Sequence, residues 1–151
     1  MVFWFVGFAL VVTWLVFHDP AFDYRLVAVG AVLPNVLLIV PVVVLAVVML
    51  ATRDHRHARR RWLALPIGMF LHLVAAGAWT DVAAGAWTDA DTFWWPFGAF
   101  GVGLPWTDRS WAVLFLEELA GLAAIVWFVR RFGLAEPAVR ESFFRTGRVP
   151  R

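Results

Sequence analysis

The chain has 151 residues, 62% of them hydrophobic and 16% charged, against about 45–50% and about 25% in an ordinary soluble domain. A single core of this size has no room for 10 Trp and 14 Phe, so much of the apolar surface must face something other than water, most simply a lipid bilayer. Cysteine is absent, which excludes disulfides, thiolate metal sites and cysteine nucleophiles; all 13 basic residues are Arg and the net charge is only +2, so where the charges lie matters more than their sum.

Four apolar stretches follow in chain order. Met1–Phe17 is short for a crossing, about 25 Å as a helix, and it has neither a basic leader nor a small-residue cleavage site, so it is expected to be retained. Leu26–Ala51 is too long for one straight crossing and carries Pro34 and Pro41, each removing a backbone donor, so a kinked helix is expected there with its broken backbone facing inward. Trp62–Trp79 and Trp111–Val129 match the roughly 17–25 residues of a transmembrane helix, and Trp at or near both ends of each suits the headgroup level.

Charge placement sets the expected orientation. The loop Arg53–Arg61 holds five Arg, and six more follow the last span at Arg130, Arg131, Arg140, Arg145, Arg148 and Arg151; both segments are expected in the cytoplasm. The connections His18–Arg25 and Thr80–Ser110 carry six of the seven Asp and only Arg25 and Arg109, which places them outside. The resulting expectation is an all-α membrane protein of a bacterial cytoplasmic (inner) membrane. Its multi-pass four-transmembrane-helix bundle (residues 1–131) has both termini inside, and residues 132–151 form a cytoplasmic Arg-rich tail. Phe93–Phe97 and Pro105-Trp106 then belong to an external interfacial or re-entrant segment, and Phe143 and Phe144 to a short surface helix of the tail.

At the outer end of the third span, Val74–Asp81 is repeated identically as Val82–Asp89. A local duplication that lengthens the outer loop explains it; the sharper reading is that a second Trp-Thr-Asp adds a carboxylate at the mouth of a site.

Ionisable groups inside a span are costly, and here they are His72, Glu117 and Glu118. Counted inward from the outer ends, His72 and Glu117 lie at about 9–11 Å and Asn35 at about 13 Å, so three helices present polar groups in one layer. His72 shares its face with Gly68, Ala75 and Ala76, small residues that mark helix contact. Glu117 is the better inward-facing carboxylate, and Glu118 reaches the same interior obliquely. His and carboxylate suit a divalent Zn or Mn ion that would activate water. A hydrogen-bonded clamp between helices uses the same groups without a metal.

Three segments carry a resemblance: Asp23-Tyr24-Arg25 through Leu33-Pro34-Asn35, Leu65-Pro66-Ile67-Gly68 through His72-Leu73-Val74, and Phe93-Trp94-Trp95-Pro96-Phe97. Together they resemble a bacterial inner-membrane family of membrane-bound metal-dependent hydrolases, which includes a LexA-binding, inner-membrane-associated member. The segment from Leu116-Glu117-Glu118 to Arg131-Phe132-Gly133-Leu134 resembles its actinobacterial branch. The resemblance implies hydrolysis of a lipid or phosphoester at the outer leaflet, with His72, Glu117 and Asn35 as metal ligands. Glu117, Glu118 and Asp81 would form the catalytic group. Where the family reads Leu-Pro-Asp this chain has Asn35, and the Asp four residues after the His is here Ala76, with Ala84 in the second repeat. The alternative is a non-catalytic relative that binds lipid or a partner. Arg53–Arg61 then set topology, with anionic lipids their next partner and nucleic acid not expected; the sequence leaves the oligomeric state open.

Overall fold

The computed structural model describes residues 1–33, 38–76 and 111–150; among them the regular structure is helical, with no strand. Helix α1 (Val2–Phe17) is apolar all round and stops where His18 takes a left-handed conformation (φ 47°), its N–H closing on Trp14 O. Helix α2 (Tyr24–Val32) ends one residue early of Pro34. Leu33 is extended (φ −63°, ψ 122°), the conformation that a following proline ring imposes.

Helix α3 (Ile39–Ala51) takes Pro41 in its first turn, where the missing donor is harmless. It closes on Thr52, whose hydroxyl donates to Val48 O at 2.6 Å. Helices α4 (Arg56–Trp62) and α5 (Ala64–Ala76) join through Leu63, itself in helical conformation. Helix α6 (Trp111–Arg131) has 21 residues, and α7 (Pro137–Thr146) starts on Pro137 and is capped by Gly147 at φ 75°.

The relative directions of these helices decide the architecture. α1 and α6 run parallel: Gly7 sits on Gly121, Gly121 on Phe3 and Trp4, and at the far end the Trp14 and Phe132 rings meet edge-on at 4.7 Å. α2 and α5 are parallel too, with Gly30 against Leu65 and Met69 and Gly68 against Val27 and Ala31. α3 runs against α5, since Leu38 packs on Leu73 while Thr52 O accepts from Arg59 at 3.2 Å. Small residues at such crossings let backbones approach closely, the main source of helix association where no water is expelled.

Two expectations are corrected by this geometry. Residues 26–51 are not one kinked span: α2 and α3 are antiparallel, and both outer ends, Tyr24 and Ala51, lie with the Arg-rich segments. Nor do Met1 and the C-terminal segment share an end of the helix packing. Residues 18–25 contact Arg60, Arg61 and Gly147, so this loop lies with the Arg loop and the C-terminal segment, and Met1 lies at the other end of α1 beside Glu118. The physical reason is that Asp19 and Asp23 are partners of Arg rather than free charge.

The densest core lies at the Arg end. Phe22, Tyr24, Phe128, Phe132, Leu134 and Val149 are buried together, with Tyr24–Phe128 and Phe128–Phe132 ring centroids 5.3 and 4.7 Å apart. The chain after α6 therefore folds back onto residues 18–25. As expected of a surface helix, α7 sets Phe143 inward and leaves Phe144 exposed. Among the described residues α6 is the helix long and apolar enough to cross a membrane, with α1 and α3 shorter apolar helices. Only 11% of the apolar window of α6 is buried, so most of its apolar surface is left uncovered by the rest of the fold. The Trp-rich segment expected to be external, and the repeat beyond Ala76, lie outside the described residues.

A side chain at either crossing has nowhere to go, because a Cβ on Gly68 or Gly121 would overlap backbone atoms of the facing helix. Gly68→Val is expected to lower stability by about 1–3 kcal/mol, read by denaturant titration in detergent. Wild-type stability in that variant would remove the α2–α5 contact from the fold.

Candidate functional site

The polar layer and the Arg end are the two places where ionisable groups gather. In the layer, His72 on α5 points at α2: its Nδ1 lies 2.7 Å from Ala31 O. A carbonyl oxygen can only accept, so Nδ1 carries a proton and donates. The Phe5 ring covers the imidazole with centroids 4.2 Å apart, and Trp4 Nε1 donates to Ala75 O at 3.0 Å, one turn further along α5.

Glu118, expected to reach the interior only obliquely, meets the start of α1 with both oxygens. Oε1 lies 2.7 Å from the Met1 amino nitrogen and Oε2 accepts from the Phe3 amide at 3.0 Å. Glu117 is half-buried on the same turn. His72 and Glu118 are thus brought to the same few residues of α1, while Asn35 and Asp81 lie outside the described residues. Among the described residues no three His, Asp or Glu side chains are grouped to hold a metal. Of the expected ligands His72 keeps Nε2 for one.

At the Arg end the pivotal group is Asp23, 2% exposed. Its Oδ1 accepts from Arg25 Nε at 3.2 Å, and its Oδ2 from Arg25 Nη2 and Arg61 Nε, each at 3.0 Å. Asp19 pairs with Arg60, and Arg25 also donates to Phe144 O. The Tyr24 amide donates to Gly147 O at 2.9 Å and the Val149 amide to Pro20 O at 3.2 Å, which straps the C-terminal segment against this loop. Burial, with Asp19 beside it, raises the Tyr24 phenol above its ordinary value, and its hydroxyl donates to Asp19 O at 3.1 Å.

These ties enclose a pocket of about 670 Å³ whose lining includes Asp23, His57, Arg60, Arg61, Trp62, Arg145 and Arg148. The pocket is not legible in the sequence because its walls come from segments as far apart as residues 21 and 148, which charge placement assigns to opposite sides of a membrane. The available signal was Asp19 and Asp23 beside an Arg-only basic complement. An acidic loop facing Arg-rich ones is a salt-bridge partner as readily as an outer loop.

Comparison with protein-family models, with curated proteins and with solved structures finds no match to this chain.

Asp23 joins the α1–α2 turn to α4 through the guanidinium of Arg61, which is more than half exposed, and holds Arg25 of its own segment beside it. Asp23→Ala is expected to cost about 2–3 kcal/mol, near the value for hydrogen bonds to charged groups and below that for breaking a fully buried pair. The loss should appear in detergent thermal unfolding together with faster proteolysis of residues 144–149. An unchanged melting temperature would show that Asp23 does not hold the Arg end together.

Proposed function

We propose that the chain is a multi-pass inner-membrane protein with its Arg end in the cytoplasm, crossing the bilayer with α1, α5 and α6. Helices α2 and α3 enter and leave from the cytoplasmic side. It works by binding lipid rather than by hydrolysing it. The observation that carries the non-catalytic reading is the use made of the polar layer, in which His72 ties α5 to α2 and Glu118 ties α6 to α1. These are clamps between helices, and they employ two of the groups, His72 and Glu118, that a hydrolase would need for chemistry. The orientation is supported by the gathering of Arg from the loop, α6 and α7 at one end, since the positive-inside bias counts Lys and Arg and gives Asp little weight.

The absence of cysteine makes the orientation easy to test. His18 is exposed in the turn after α1, so His18→Cys should resist a membrane-impermeant maleimide in intact spheroplasts and react after lysis. Labelling from outside would restore the arrangement with residues 18–25 external and overturn the one proposed here.

A second reading, the metal-dependent hydrolase, draws on one observation besides the resemblance. With its proton on Nδ1 held by a backbone carbonyl, His72 turns the lone pair of a neutral ring to Nε2, as metal-ligating histidines do. The lipid-binding reading expects purified protein without stoichiometric metal and a His72→Ala variant unchanged in metal content. Stoichiometric Zn or Mn lost in that variant would overturn it in favour of the hydrolase.

A further inference from the structure

Charge in the Arg-end pocket is unbalanced. Arg25, Arg60, Arg61, Arg145 and Arg148 surround or back it against two carboxylates, Asp19 and Asp23, which pair with Arg25, Arg60 and Arg61. Arg145 and Arg148 have no carboxylate partner among the described residues, and Thr146 and His57 add polar atoms beside them. Buried Asp23 fixes the guanidinium of Arg61 and Asp19 that of Arg60, so this wall of the cluster is anchored against self-repulsion. Guanidiniums converging on a cavity are matched best by phosphate oxygens. A surplus of more than one positive charge favours a phosphate carrying two negative charges over a singly charged diester.

The pocket wall also includes Trp62, 45% exposed, the first residue of the apolar stretch and suited to the headgroup level. Four residues on, about 6 Å along the helix, Pro66 enters the lining of a second cavity. This one measures about 460 Å³ and is walled by apolar side chains including Phe17, Val42, Leu45, Pro66, Phe70 and Leu71. It runs up between α1, α3 and α5, next to the charged pocket and toward the bilayer interior.

We infer that the pocket formed by Arg60, Arg61, Arg145 and Arg148 binds a phosphomonoester group, presented by an anionic lipid whose acyl chain lies in the groove between α1, α3 and α5. This rests on the lipid-binding reading above and names its ligand. A soluble phosphate ester offers the same charged group without a chain, so the two sources separate by what the groove contributes.

The test uses the full chain in detergent, with lipid retention measured by native mass spectrometry. Phosphatidic acid, with a phosphomonoester, should be retained about tenfold or more over phosphatidylglycerol and phosphatidylcholine. The double variant Arg145→Gln/Arg148→Gln, which touches no described ion pair, should lose that preference about tenfold. Arg53→Gln/Arg56→Gln, an equal charge change at the same end but outside the pocket lining, should keep it. Equal losses in both double variants, or equal retention of all three lipids, would mean diffuse surface attraction and overturn the site. Glycerol 3-phosphate competing as well as phosphatidic acid at equal concentration would overturn the lipid source. Recovery of the retained lipid intact is expected; its hydrolysis would overturn the non-catalytic reading while leaving the site standing, and maleimide labelling at residue 18 reports on orientation independently of both.

Discussion

Asp23 is the constraint on which the rest of the Arg end depends. A carboxylate this deeply buried must be paired, because an isolated ionised group away from water is far more costly than a contact is worth. Its partners, Arg25 and Arg61, come from the start of α2 and the end of α4, so satisfying one side chain forces two distant segments together. Once they meet, α2 and α5 must leave the same end in the same direction. The close approach of Gly30 and Gly68 then follows from where the helices start.

The parallel pairing of α1 with α6 follows similar logic with weaker forces. Gly7 and Gly121 allow backbone contact, but small residues alone do not fix direction. Direction comes from the ends, Glu118 against the start of α1 and Phe132 against Trp14 beside the Tyr24 cluster. Polar clamps at one end and an aromatic core at the other leave long apolar faces between them, including exposed Leu15, Val16, Phe115 and Leu119. Water would make such faces a liability, whereas acyl chains of the proposed bilayer would cover them.

Much of the helical content was legible in the sequence because it depends on local composition. The apolar stretches, the break near Pro34 and the helix over Phe143 and Phe144 all follow from residues that act on their own neighbours. Topology was not legible in the same way. Asp19 and Asp23 look like the markers of an outer loop until their partners are known, and those partners lie about 40 residues away in sequence at Arg60 and Arg61. Likewise the face argument placed His72 against protein from its small neighbours, but the partner, Ala31 O, belongs to a helix the sequence had merged into a longer span. Glu117 and Glu118 are adjacent, and no periodicity told which of them would meet the start of α1.

The same buried carboxylate also gives the Arg pocket its chemical character. Without Asp23, the guanidiniums of Arg25 and Arg61 would repel and their side chains would spread into water, as flexible surface Arg do. With it, part of the positive charge is neutralised where it anchors the fold, and Arg60 and Arg61 line one pocket with Arg145 and Arg148. Preorganised cations bind an anion without first losing side-chain freedom. The single negative charge of Asp23 thus converts a topology signal spread over several loops into one concave cationic surface, set next to the apolar groove that begins at Phe17 and Pro66.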